Sequence, residues 1–152
     1  MGSNTQRLTV KLRVRDNHAA DLNRQARAVS FVWNYLNETQ KKAMQDRRQW
    51  LSAFDLQKLT NGSAKYLDIH AHTIQRVCRV YEESRRRVAK PWLRWRGKRS
   101  LGWVPFNTET VKFNGDTFKF RGKLYRTMHL SPSRTALFRP ERERSSYSTF
   151  LP

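Results

Sequence analysis

The sequence predicts an α+β protein, a small antiparallel β-barrel or sheet interrupted after its first strand by a three-helix insertion. Three observations predict it. Residues 7–15 alternate apolar and polar side chains, residues 19–90 carry apolar side chains at steps of three and four, and a period-two pattern returns around Asn114-Gly115. The β part is accordingly assigned to residues 7–15 and 100–130, the helical insertion to 16–99, and a flexible or divergent tail to 131–152.

The first strand is Arg7 to Arg15, with Leu8, Val10, Leu12 and Val14 facing inward. Successive strand residues point to opposite sides, so Lys11, Arg13 and Arg15 share the outer face. From about Ala19 the stripe Leu22, Ala26, Val29, Trp33, Leu36, Gln40 and Ala43 marks a long helix ending near Arg48. Ser52 with Asp55 three positions on is a capping-box start for a short second helix, which Asn61-Gly62 stops. Leu51, Phe54, Leu56 and Leu59 are expected to pack it on the first helix. The third helix spans about Ala71 to Lys90, with Ile74, Val77, Cys78, Tyr81 and Val88 inward and Pro91 closing it. Asn114-Gly115 signals a hairpin flanked by Val111, Phe113, Phe118 and Phe120, and Gly122 marks the next turn, before 123–129. A lone N-terminal strand cannot satisfy its backbone groups, so it is expected to pair with these later strands.

Charge narrows the function. The 152 residues carry 31 Lys and Arg against 12 Asp and Glu, a formal charge of +19. Such a field repels itself in a compact chain unless a polyanion relieves it, which makes nucleic acid the first partner to consider. No apolar run approaches the roughly 20 residues that span a bilayer, so no membrane partner is expected and the location is expected to be cytoplasmic, with nucleoid association open.

The charge concentrates at residues 76–99, where Arg76, Arg79, Arg85, Arg86, Arg87, Lys90, Arg94, Arg96, Lys98 and Arg99 face only Glu82 and Glu83. Neutralising phosphates releases condensed counterions, and that release drives much of the affinity of basic proteins for nucleic acid. Trp92 and Trp95 interleave with these cations, and an aromatic face stacks on unpaired bases for about 1–3 kcal/mol each. The competing reading is a solvated basic helix followed by two core tryptophans. The binding reading assigns Lys11, Arg13, Arg15, Arg76, Arg79, Arg86, Arg87, Trp92, Arg94, Trp95, Arg96, Lys98 and Arg99 to RNA.

No residue is assigned to catalysis and no cofactor or metal is expected. The carboxylates are scattered, whereas two-metal phosphoryl chemistry needs several converging on ions about 4 Å apart. His70 and His72 lack companion ligands at metal spacing, and Cys78, the single cysteine, sits on the apolar side of its helix. A helix-turn-helix DNA reader needs a turn of three or four residues, and the connection from Asn61 to His70 is longer.

Several stretches together resemble the amino-terminal part of the TnpB-type transposon-encoded RNA-guided nucleases, relatives of the type V CRISPR effectors. They are the strand around Lys11-Leu12-Arg13, the helix segment Ala28-Val29-Ser30-Phe31-Val32-Trp33-Asn34-Tyr35, Leu51-Ser52 with Asp55-Leu56-Gln57-Lys58-Leu59, His72-Thr73-Ile74-Gln75, and the Trp/Arg/Lys run before Val104-Pro105-Phe106. The resemblance covers residues 7 to about 129. It implies a wedge β-barrel split by a recognition insertion, which together grip a guide RNA and its target heteroduplex. The family's nuclease domain has no counterpart here, and after His129 the sequence departs from the family's pattern. The resemblance therefore implies a nuclease-less protein that binds structured guide-type RNA and regulates or inhibits an RNA-guided nuclease. The alternatives are a subunit of a split nuclease whose catalytic domain is on another chain, and a DNA-binding repressor.

Overall fold

A computed structural model of the chain describes residues 13–100, 102–106, 110–114, 116–128 and 149–150. The protein is mixed helix and sheet. β1 (Arg13–Val14) leads through a 3-10 turn at Asp16–His18 into α1 (Ala19–Arg47), followed by α2 (Ala53–Leu59), α3 (Ser63–Leu67) and α4 (Ala71–Val88). The strands β2 (Val104–Pro105), β3 (Val111–Asn114), β4 (Thr117–Phe120), β5 (Lys123–Met128) and β6 (Thr149–Phe150) follow.

The expected pairing of the first strand is present: the main sheet is antiparallel with order β1-β5-β4-β3, and Val14 sits opposite Thr127. The hairpin also forms, with Asn114 opposite Thr117 and Phe113 opposite Phe118. Arg121 and Gly122, both at positive φ (52° and 78°), make the tight turn into β5; without a Cβ, glycine takes this conformation at no steric cost. The sheet is open and is not a closed barrel. Among the described residues β1 and β3 are its two edges, and four strands fall well short of the roughly eight that close a small barrel around its side chains. α1 covers the inner face instead, with Leu22 and Ala26 packed among Val104, Phe106, Phe118, Phe120 and Tyr125.

The stripe read along α1 serves two cores. Leu22 and Ala26 belong to the sheet, whereas Val29, Trp33 and Leu36 join Leu56, Val77, Cys78 and Tyr81 in a helical core. The capping box at Ser52 forms as the spacing requires, with Asp55 Oδ2 accepting from Ser52 N at 3.0 Å and Ser52 Oγ from Asp55 N at 3.2 Å.

Several expectations are corrected. Four α-helices, not three, lie between β1 and β2, because residues 63–67 close an extra turn after Gly62 (φ 80°). α2 packs chiefly on α4, not on α1, and this leaves Phe54 (63% exposed) and Leu59 outside the core. Val88 is also exposed, because α4 ends there and Ala89 turns the chain away in the left-handed region (φ 51°). Leu8, Val10 and Leu12 lie outside the described residues, as does the tail at 131–148 and 151–152. Thr149–Phe150, however, pairs antiparallel with Val104–Pro105.

An ionic network ties the two cores together. Asp21 in the first turn of α1 accepts from Tyr125 Oη (2.6 Å), Gln25 Nε2 (3.1 Å) and Arg24 (3.1 Å), with Lys123 Nζ at 3.3 Å. Asp68, before α4, holds both Arg24 (2.9 Å) and Arg121 (2.7 Å). Burial alone would raise the Asp21 carboxyl, but the hydrogen bonds from Tyr125, Arg24 and Lys123 outweigh it and bring the pKa from 3.8 to about 2. A depressed carboxyl contributes stability that is complete above its ordinary pKa and lost as pH falls through the folded value. Thermal melts followed by circular dichroism across this range should therefore show a steep acid loss between about pH 4 and pH 2. Asp21→Asn should lower the melting temperature at neutral pH and shrink that acid loss.

Candidate nucleic-acid interface

The sequence reads as one basic run over residues 76–99, and the structure divides it into a helix face and a docked strand-like segment. Thr73, Ile74, Val77, Cys78, Tyr81 and Arg85 form the buried side of α4. At 100° per residue, Arg79, Arg86 and Arg87 fall on the opposite side, where all three are exposed and Arg76 is half-buried. Glu83 shares that face, and Arg86 is paired with Glu82 at 2.5 Å, which leaves Arg79 and Arg87 as its less encumbered charges. Three arginines in the last turn of a helix also complement its dipole, so part of this charge is structural.

Past Ala89 the chain has no regular structure, yet it is held along its length. Buried Arg85 donates to Leu51 O and Pro91 O and packs over Trp50 and Tyr81 at 4.8 and 5.0 Å. Asn37 then grips residue 93 at two points, donating to Leu93 O (2.8 Å) and accepting from Leu93 N (2.8 Å). Asn34, one turn earlier, does the same to Arg96 through its O (2.9 Å) and N (2.8 Å). Between them Trp33 Nε1 donates to Arg94 O at 3.3 Å. A carboxamide sets an acceptor oxygen and a donor NH2 group at the separation of a backbone C=O and N–H, so α1 satisfies this segment as a neighbouring strand would.

That docking decides which side chains are free. Leu93 turns into the helical core, and Arg96 lies half-buried with its guanidinium 5.7 Å from both Trp33 and Trp103. Trp92 (41% exposed), Arg94, Trp95 (49% exposed), Lys98 and Arg99 face solvent. The two tryptophans are thus not core residues; the core tryptophans are Trp33 and its half-buried neighbour Trp103. Burial lowers the pKa of Arg85 and of Arg96, the signature of cations taken from water.

Of the remaining predicted site residues, Arg13 and Arg15 are exposed on and just after β1, in the sheet and not on the α4 segment. Lys11 lies outside the described residues. Sequence reasoning missed the carboxamides Asn34, Asn37 and Gln40 as positioning residues. The available signal was their spacing of three within an apolar stripe, since a polar side chain at a core position must find a backbone partner. Gln40 is the third such clamp, donating to Gln49 O and accepting from Leu51 N, both at 2.9 Å.

The other reactive side chains have structural partners. Burial pushes the Cys78 thiol up to about 11, beside Thr60 Oγ1 at 3.7 Å. His70 caps α4 by accepting from His72 N at 3.1 Å, and among the described residues no three His, Cys, Asp or Glu come together as a metal site. No helix among the described residues is long and apolar enough to cross a membrane. No protein-family model matches the sequence, and no curated protein matches it.

Asn37 also accepts from Tyr81 Oη at 2.8 Å, so it joins α1, α4 and the docked segment. Truncating it strands the buried Tyr81 hydroxyl, at about 1–3 kcal/mol, and frees the part-buried N–H and C=O of Leu93, which water reaches at smaller cost. Asn37→Ala should lower the unfolding free energy by about 2–4 kcal/mol in urea titrations. An exposed control, Gln75→Ala, should change it by less than about 0.5 kcal/mol.

Proposed function

We propose that this chain binds structured, guide-type RNA without cutting it, as a nuclease-less protein of the TnpB kind, and that by doing so it regulates or inhibits an RNA-guided nuclease. The observation that supports this reading is the docked segment, where Trp92 and Trp95 stand half-exposed among Arg94, Lys98 and Arg99 on a backbone clamped to α1. Rigid aromatic faces meet unpaired bases at low entropic cost, and the flanking cations meet the phosphates. In this reading β1 with β3–β5 takes the part of the wedge, as an open sheet and not a barrel, and α1–α4 that of the recognition insertion.

RNA is preferred to plain duplex DNA because a duplex offers no unpaired base to a tryptophan. One observation favours a second reading. Among the described residues β1 and β3 are edge strands, and unpaired strand edges invite completion by another chain. In that reading the protein is a subunit of a split nuclease, and the partner supplies both the missing strands and the catalytic domain. Purification from the native host, with sequencing of bound RNA and identification of bound proteins, separates the two.

The direct test compares a structured RNA carrying unpaired loops with duplex DNA of equal length at moderate salt. The RNA should bind more tightly, and Trp92→Ala and Trp95→Ala should each cost about 1–3 kcal/mol of RNA affinity. Tighter binding of the DNA, or unchanged RNA affinity in both variants, would remove RNA as the ligand of this segment.

A further inference from the structure

We propose that the solvent face of α1 is a self-association surface, on which a second copy of this chain lays the same face antiparallel across a two-fold axis between Phe31 and Tyr35. This pairing needs no RNA.

α1 has three sides with separate tasks. Val29, Trp33 and Leu36 point into the helical core, and Asn34 and Asn37 hold the docked segment on the flank beside it. At 100° per residue, the side turned away from the core carries Arg24, Arg27, Phe31, Tyr35, Glu38 and Lys42. The outer side of an amphipathic helix is ordinarily polar, so two aromatic rings in the middle of it are the anomaly. Phe31 is 62% and Tyr35 44% exposed, and a spacing of four makes them neighbours along the helix.

The charges around the rings decide the partner. Arg27 lies one turn before Phe31 and Glu38 one turn after Tyr35, both on the same flank of that face. When a helix meets its own copy antiparallel, the same flank of each comes together. Phe31 then faces Tyr35 of the second copy, and Arg27 faces its Glu38. The two-fold repeats both contacts, so a single register yields two ring pairs and two ion pairs. The other flank carries Ala28 and Thr39, which bring no charge. Arg24 comes opposite Lys42 of the second copy, but Arg24 is already paired with Asp21 and Asp68, and Lys42 with one carboxylate oxygen of Glu38 at 3.7 Å. Glu38 also speaks against nucleic acid here, because a carboxylate beside the rings repels phosphate. Two rings are too little to anchor a membrane surface.

A crossing of two helices buries less than the roughly 1,200–2,000 Å² of a standard interface, so the dimer is weak and concentration-dependent. Its rim ion pairs choose the register more than they add strength. Two copies at +19 each also repel one another at long range, and salt screens that repulsion. Self-association should therefore strengthen as salt rises, the opposite of nucleic-acid binding.

The test is sedimentation equilibrium of the full chain, freed of nucleic acid by nuclease treatment, over a range of protein concentrations at low and moderate salt. Wild type should pass from monomer to dimer as concentration rises, more readily at moderate salt. Phe31→Ser with Tyr35→Ser should weaken the dimer by roughly tenfold or more, while the thermal melt of the dilute monomer stays unchanged because both rings are exposed. Arg27→Glu alone and Glu38→Arg alone should each weaken it, by bringing like charges together twice. An equimolar mixture of these two single variants should recover association as a heterodimer, because each contact then joins opposite charges. A wild-type chain that stays monomeric throughout, a dimer indifferent to the ring variant, or a mixture without recovery overturns the proposal. Association that disappears on nuclease treatment also overturns it, and leaves the RNA reading standing with RNA as the bridge.

Discussion

The structure depends on three side-chain amides spaced one turn apart along a single helix. Asn34, Asn37 and Gln40 each hold a stretch of non-helical backbone by its own N–H or C=O, at residues 96, 93 and 49–51. Extended backbone cannot enter a protein interior with its polar groups unpaired, and a helix has no free backbone edge to offer it. Carboxamides resolve the conflict. They let α1 act as the neighbour of a strand on one side while Val29, Leu36 and Trp33 build a core on another. Asn34 and Asn37, with Trp33 and Arg85, set the path of the chain after α4 and so the direction of Trp92 and Trp95.

The basic character of the chain is not one property but several. Arg85 is buried and serves as a hydrogen-bonding pillar, Arg96 is wedged between two indoles, and Arg24, Arg121 and Lys123 fasten α1 to the sheet and to the loop before α4. Setting these aside leaves, among the described residues, charge along α4 and the docked segment, across the outer sheet, and at Arg47 and Arg48 where α1 ends. The first mixes its cations with the exposed rings of Trp92 and Trp95.

Much of the fold was legible along the chain because its signals are local. The spacing of Leu22, Ala26, Val29, Trp33 and Leu36 specifies one helix face, Ser52 and Asp55 cap a helix by reaching three residues, and Asn114-Gly115 turns a hairpin whatever surrounds it. Other features were not legible because they depend on what packs where. Phe54 and Leu59 read as core residues, yet α2 turns them outward by leaning on α4. The extra turn at residues 63–67 lacks an apolar stripe of its own, and nothing in its composition separates it from a loop.

The sequence by itself determined the class of the protein, the long first helix, the return of the chain in antiparallel strands and the concentration of charge beside two tryptophans. Periodicity and composition carry these, since each follows from residues close together in the chain. Only the tertiary structure decided that the sheet stays open, that Arg85 is interior and Arg96 half-buried against two indoles while Trp92 and Trp95 face solvent, and that Arg15 meets Arg126. The physical reason is the same in each case. Burial and pairing are relations between residues far apart in the chain, and a local pattern is silent about which distant partner desolvates a charge or leaves a ring in water.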